Sequence, residues 1–229
     1  MQDVIQIRAS AKRNVLTTSL FGVAGIFVAA AIFAWLPEAF FLAGVFVTSA
    51  SIVALLIAWF KFREPIFSLE LSHDSICYQH RKGQWHVSWH NIQRIDVPRA
   101  HRDLALEDLS LVGIKLKDYR PFLTTTPIKL MIHLLMEQRS LLLLGDKSDS
   151  ASGLSFSANL VEDDKHKLPD GTVLTGTQAM LANRMTKLRE RLGYDLYINV
   201  SELDRSEQEF VRLLRECQEF VQNQQKQDA

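Results

Sequence analysis

Five of the chain's 7 histidines, His73, His80, His86, His90 and His101, fall in one stretch, and Cys77 stands among them. Imidazole and thiolate are good transition-metal ligands, so this spacing is first tested as a metal centre. Alternate residues of a strand share a face. If Ser75 to His80 and Trp85 to His90 pair around a two-residue turn at Lys82 and Gly83, then His80 faces Trp85, Tyr78 faces Val87 and Ile76 faces Trp89. Cys77, His86 and His90 then share the opposite, polar face. Cys77 falls across from Ser88, which leaves both histidines as diagonal neighbours about 7–8 Å away, and no fourth ligand accompanies them. Solvated strand histidines are the better reading, and the expectation is no metal and no cofactor.

Other chemistry finds less support. The sequence contains no GxSxG, no phosphate-binding GxxxxGK[ST], no GxGxxG, no HExxH and no CxxC. Asp163, Asp164, Lys165 and His166 form a charged run, but it lies in a Ser-rich segment expected to be mobile, where a catalytic geometry is hard to hold. Cys217 shares a helical stripe with Phe210 and Leu214 and reads as core rather than nucleophile. Cys77 and Cys217 are far apart in sequence and both are expected in a reducing compartment, so they read as free thiols. The expectation is a protein that is not an enzyme.

Basic residues that could contact a membrane surface or a ligand are the remaining candidates. Lys12, Arg13, Lys61 and Arg63 flank two long apolar runs, where they suit an anionic bilayer surface. Lys115, Lys117, Arg120 and Lys129 are candidate headgroup or partner contacts, with Asp118 as a partly neutralising neighbour. The 229-residue chain has zero formal net charge and no long basic run, so no nucleic-acid partner is expected.

The apolar runs dominate the organisation. Val15 to Leu36 and Phe40 to Phe60 contain no Asp, Glu, Lys, Arg or His, and Glu38 is the one charge between Arg13 and Lys61. About 20 apolar residues cross a hydrocarbon core of roughly 30 Å, so the spacing predicts a membrane α-hairpin. A cleaved signal peptide fits the first run poorly, because the run is too long and lacks a small-residue cleavage site. The expected order is a cytoplasmic leader over 1–14, membrane helices over 15–36 and 40–60, an external turn over 37–39 and a basic linker over 61–65. Positive charge at both flanks and none in the turn places both termini in the cytoplasm. Gly22, Gly25 and Ala29 on the first helix and Ala50, Ala54 and Ala58 on the second are small residues at helical spacing, suited to close helix contact. Homo-oligomerisation through the same faces stays open.

A cytoplasmic α+β domain is expected over 66–222, followed by a polar tail over 223–229. Phe67 to Leu71, Leu109 to Leu116 and Leu196 to Val200 read as strands and Asn91 to Val97 as a turn into another strand, with Pro98 to Leu106 a charged loop and Tyr119 to Thr126 irregular. Pro127 opens a helix whose apolar stripe is Ile128, Met131, Ile132 and Leu135. Leu141 to Leu144 fits a short buried strand or a helix end, which periodicity alone does not distinguish, and a mobile Ser-rich insert covers about 145–176. A helix from Thr177 to Leu192 stops at Gly193, and Asp204 with Glu207 caps a final helix lined by Phe210, Leu214, Cys217 and Val221.

Trp89 with Asn91 and Ile92, the run Val112 to Asp118, and the closing run Gly193 to Leu203 leading into Asp204 carry a resemblance. The chain resembles uncharacterised bacterial membrane proteins in which a two-helix anchor carries a pleckstrin-homology-like domain. The likeness spans most of residues 66–222. It implies a curved antiparallel sheet or partial barrel with a C-terminal helix, in a multi-pass protein of the bacterial inner (plasma) membrane. The Ser-rich insert departs from the pattern and leaves the strand order after Asp118 open. The resemblance brings no catalytic residues. The function expected is a protein-interaction or scaffolding module with an unknown protein partner, and the alternative is a module that binds anionic lipids.

Overall fold

The computed structural model describes residues 4–8, 15–62, 67–102, 105–144 and 162–228. Its compact units are 9–66 on one hand, and 1–8 together with 67–229 on the other.

The first unit is a helical hairpin. Helix α1 spans Val15–Trp35 and α2 spans Phe41–Phe62, joined through a 3-10 turn at Glu38–Phe40. Pro37 has no N–H to extend α1, and its carbonyl accepts from Phe40 N–H at 2.9 Å. Both helices are long and apolar enough to cross a membrane. Large side chains point outward, with Leu16 86% and Leu42 79% exposed, whereas the buried positions are Gly22 and Ala29 on α1 and Gly44, Ser51 and Ala58 on α2. Those positions recur every seventh residue, the repeat that keeps one seam facing a partner helix. A Cβ at Gly22 would stand 2.8 Å from the Leu55 side chain, and one at Gly25 would overlap the Ser51 hydroxyl, so the glycines permit the approach. Ala50 therefore lies outside the seam and Ala54 is half-buried. A four-residue step walks around the helix where a seven-residue step does not. Ser51 Oγ donates to Val47 O at 2.7 Å and Thr48 Oγ1 to Gly44 O at 2.8 Å, so these hydroxyls are satisfied within their own helix.

The second unit begins before the hairpin. Strand β1 (Ile5–Ile7) pairs antiparallel with β2 (Leu69–Leu71), Ile5 opposite Leu71 and Ile7 opposite Leu69. Part of the expected leader is thus an edge strand of the domain, and Ile7 is fully buried. Three residues carry too little periodicity to announce a strand. The sheet continues through β3 (Ser75–His80) and β4 (Gly83–Ser88) in the order β1-β2-β3-β4. The β3–β4 turn is Arg81 and Lys82, not Lys82 and Gly83: Gly83 sits at φ +140 opposite His80. The register therefore shifts by two, which preserves the faces but changes the partners, so that Tyr78 faces Trp85, Ile76 faces Val87 and Cys77 faces His86.

A 3-10 turn at Trp89–Asn91 carries the chain out of this sheet into β5 (Ile92–Asp96). The Trp89 indole donates to Ser72 O at 2.9 Å, pinning the corner. The expected charged loop is a hairpin of β6 (Arg99–Arg102) and β7 (Ala105–Asp108), closed by Arg99 Nε on Asp108 Oδ1 at 2.7 Å. Strand β8 (Leu111–Leu116) then pairs with β5 and with β11 (Leu196–Asn199), in the order β11-β8-β5. Antiparallel pairing is as expected, but the two sheets do not form one closed barrel. The β5–β8 register shifts between Ile92 and Arg94.

Among the described residues, three short helices follow β8 before the insert. Helix α3 (Arg120–Thr125) replaces the expected irregular stretch: Pro121 suits a first turn, and Phe122 and Leu123 are fully buried. Helix α4 (Ile128–Glu137) begins after Pro127 as expected, but the face it buries is rotated from the expected one and shares only part of it. Leu130, Met131 and Leu134 point into the core, while Ile128 is 61%, Ile132 47% and Met136 73% exposed. Of the expected stripe, Met131 is buried and Leu135 packs against the core, whereas Ile128 and Ile132 are not; the helix is apolar nearly all round, so periodicity placed the buried face only in part. Leu141–Leu144 forms helix α5, the helical of its two readings. Of the Ser-rich insert, 145–161 lies outside the described residues. The rest is a hairpin of β9 (Lys165–Lys167) and β10 (Val173–Thr175).

Helix α6 (Gly176–Leu192) ends at Gly193 with φ +87, the left-handed stop its sequence requires. Helix α7 (Glu207–Asp228) is capped not by Asp204 but by Ser206, whose Oγ accepts from Glu209 N–H at 3.4 Å while Glu209 accepts from Ser206 N–H at 3.3 Å. Asp204 instead pairs with Arg205 at 2.8 Å. Phe210, Leu214 and Val221 bury as expected. From α7, Arg215 donates to Ile95 O at 2.9 Å and Gln218 to Ile92 O at 3.0 Å, so the helix covers the open edge of β5.

Candidate functional site

The histidine-rich stretch does not converge. Cys77 Sγ lies 3.9 Å from His86 Nε2 across the β3–β4 pair, closer than the expected register allowed. Burial, and then the Glu70 carboxylate opposite, push the thiol pKa up, which makes it a poor nucleophile and a poor ligand. His90 sits on the 3-10 turn after β4. Among the described residues no group of three or more His, Cys, Asp or Glu is placed to hold a metal. The His101 side chain lies outside the described residues.

His80 has a different setting. Its ring stacks on His133 of α4 with centroids 4.3 Å apart, and its Nδ1 accepts from Lys82 N–H at 3.1 Å. Burial, then the positive charges of His133, Lys82 and Arg81, lower its pKa to about 4. An unfolded chain takes up this proton near pH 6.5, whereas the folded domain resists it until about pH 4. The contribution of His80 is thus fully present above pH 6.5 and is lost as the pH falls to about 4. For a partly solvated ring the loss is of order 1 kcal/mol. Urea titrations across that range should show His80→Gln flattening the acid slope of the wild type. An unchanged slope contradicts the assignment.

The basic candidates also separate. Lys12, Arg13 and Arg63 lie outside the described residues, and Lys61 belongs to the last turn of α2. Arg120 is committed to the β9–β10 turn, where it pairs with Asp170 and donates to Thr172 Oγ1 at 2.8 Å. Lys115 is half-buried on β8 opposite Arg94, Lys117 is exposed just beyond that strand, and Lys129 is exposed on α4. Among the described residues no hydrogen bond or ion pair joins these four into one site. A cleft of about 560 Å³ contains Arg94, Arg99 and Arg215, but Asp96 and Asp108 neutralise them at 2.7–3.0 Å.

The candidate site is a groove where the β1–β2 end of the first sheet meets the second half of α7. Its volume is about 590 Å³. Ile5, Leu71, Cys217 and Phe220 supply an apolar lining, and His73 and Gln224 form part of a polar rim. The His73 ring stands edge-on to Phe220 at 6.3 Å, and its Nε2 contacts Gln224 Oε1. Phe220 is nonetheless 59% exposed, and Ile5 is 39% exposed on an edge strand. Burial pushes the Cys217 thiol pKa up, so the groove offers a protonated thiol and apolar surface rather than a nucleophile. The arrangement can hold an apolar side chain beside an open strand edge. Sequence reading missed it because Ile5 and Phe220 come from opposite ends of the chain. The available signal was an extra apolar position, Phe220, at the margin of the final helix's buried stripe, beside Leu213 and Cys217.

Two ionic networks were also invisible in sequence. Asp195, fully buried, accepts from Arg189 Nε at 2.6 Å, Tyr119 OH at 2.8 Å and Leu116 N–H at 2.7 Å. Glu162, within the insert, accepts from Arg184 Nε at 2.6 Å and faces Lys187 Nζ at 2.8 Å. Every strong donor around these carboxylates is used for packing α6, which gives the networks a structural role.

Residues 69–220 match a family model described as Protein of unknown function (DUF2982). No curated protein and no solved structure matches the chain.

Proposed function

The chain belongs to the DUF2982 family, and we propose that this member is a membrane-anchored interaction module with no catalytic activity of its own. The observation that carries the reading is the groove at the open β1 edge, which joins exposed apolar side chains to a strand able to accept a partner segment. Anchoring is supported by α1 and α2, which turn large apolar side chains outward along membrane-spanning lengths. The β1–β2 pairing adds a topological reason: the segments before and after the hairpin share one sheet and so lie on one side of the bilayer. The positive flanks make that side the cytoplasm of a bacterial inner membrane. The likeness to pleckstrin-homology domains is part of this reading, supported by antiparallel sheets and a closing helix over β5.

The test is co-purification from mild detergent at native expression, comparing the wild-type full chain with Phe220→Asp. A companion protein whose recovery falls about tenfold in the variant, a loss of about 1.4 kcal/mol, supports the groove as its docking site. Equal recovery from both chains removes it. Phe220 is exposed, so the substitution spares the core.

A further inference from the structure

Helix α4 presents an apolar face that the domain does not use. Ile128, Ile132 and Met136 stand at four-residue spacing on one side, all exposed, opposite the buried Leu130, Met131 and Leu134. The surrounding charge is mainly positive. Lys129 lies beside the stripe, Arg139 follows the helix, and Lys82 of the β3–β4 turn, next to the exposed Arg81 in that turn, abuts it. The last contact is direct: Lys82 Nζ lies 3.4 Å from His133 Nδ1, and a Cβ at Gly83 would stand 3.0 Å from Pro127. Against these four cations the helix carries one acid, Glu137, 3.6 Å from His133. An exposed apolar stripe with a cationic border is the pattern of a helix that lies in a bilayer interface. It differs from the groove, whose lining among the described residues carries the acids Asp74 and Glu216 and no Lys or Arg.

We infer that α4, with the Arg81–Lys82 turn, is a lipid-contacting face that seats Ile128, Ile132 and Met136 among the headgroups of an anionic bilayer. A bilayer is preferred to a protein partner on two grounds. The border is cationic, complementary to anionic headgroups. The chain between Phe62 and Phe67 is only residues 63–66, so connectivity alone keeps the domain near any membrane the hairpin enters. Lys129 is then the one member of the Lys115, Lys117, Arg120 and Lys129 set that takes part. The inference rests on the membrane reading of the hairpin but is independent of the groove.

The test places p-benzoylphenylalanine at Ile132, at Met136 or, as a control on the exposed edge of β4, at His86. Each full-length chain is reconstituted into phosphatidylcholine vesicles with and without phosphatidylglycerol, and vesicles are recovered by flotation before irradiation. The expected result is lipid adducts at 132 and 136 at least fivefold above those at 86, in the phosphatidylglycerol vesicles. Removing phosphatidylglycerol, or introducing Lys82→Glu with Lys129→Glu, should reduce them severalfold. Chains that float but give equal lipid adducts at all three positions overturn the inference alone. Adducts at 132 to a second copy of the chain do the same, assigning the face to self-association. Failure to float overturns the membrane reading together with it.

Discussion

Asp195→Ala should destabilise the folded domain by about 3–5 kcal/mol, because it leaves a set of buried donors without their acceptor. Asp195 is fully buried and binds Arg189, Tyr119 OH and Leu116 N–H at once, while Arg189 also donates to Leu116 O at 2.7 Å. One side chain therefore ties α6, β8 and the approach to α3 together. Removing the carboxylate strands the guanidinium, which is only 30% exposed, beside the Tyr119 ring at 4.8 Å. Asp108→Ala is the matched control. Its pair with Arg99 is 37% and 62% exposed on the two sides, so its loss should stay below about 1 kcal/mol. Urea titration of the full chain in detergent, followed by tryptophan emission, resolves the two, since Trp85 and Trp89 are 3% and 1% exposed in the domain core. A loss at Asp195 no larger than at Asp108 shows that the network contributes little. Pairing Asp195→Leu with Arg189→Leu should recover part of the deficit, since both charges then leave together.

Why Asp195 escaped sequence reading illustrates what local pattern carries. The residues around it announce a helix end and a strand: Gly193 must be left-handed, and Leu196 and Ile198 alternate with Tyr197. Nothing local says that the aspartate between them is buried, because its partners lie on β8, before α3 and on α6. The same distinction separates the readings of the hairpins. The alternation in β3 and β4 assigns every side chain to its face, yet not the register, because a shift of two leaves the faces unchanged. That shift alone turns Cys77 from a diagonal neighbour of His86 into its direct one. In α1 and α2, apolar length is unmistakable, but the seam depends on a seven-residue period that small residues elsewhere obscure. Strand β1 and the groove beside it depend on an encounter between the chain's beginning and its last helix, and local periodicity does not record such encounters.

Helix α4 separates the two faces that sequence could not, and its variants should divide in the same way. Leu130→Ala should cost about 2–5 kcal/mol, since the side chain is fully buried and its removal leaves a cavity in the main core. Ile132→Ala, at a residue 47% exposed, should cost less than about 0.5 kcal/mol in detergent. The expected stripe of Ile128, Met131, Ile132 and Leu135 shares Met131 with the buried face but places Ile132 in the core, so it requires a large loss at Ile132. Equal and large losses at both positions contradict the observed orientation, and a small loss at Leu130 with a large one at Ile132 reverses it. The outcome also bears on the exposed stripe. A residue conferring little stability on the isolated domain but contacting lipid in vesicles marks a surface apolar for use rather than for folding. If Ile132→Ala is neutral in detergent yet loosens the domain's hold on phosphatidylglycerol vesicles, the two faces of α4 have separate roles. The inner one holds the fold, and the outer one orients it at the membrane.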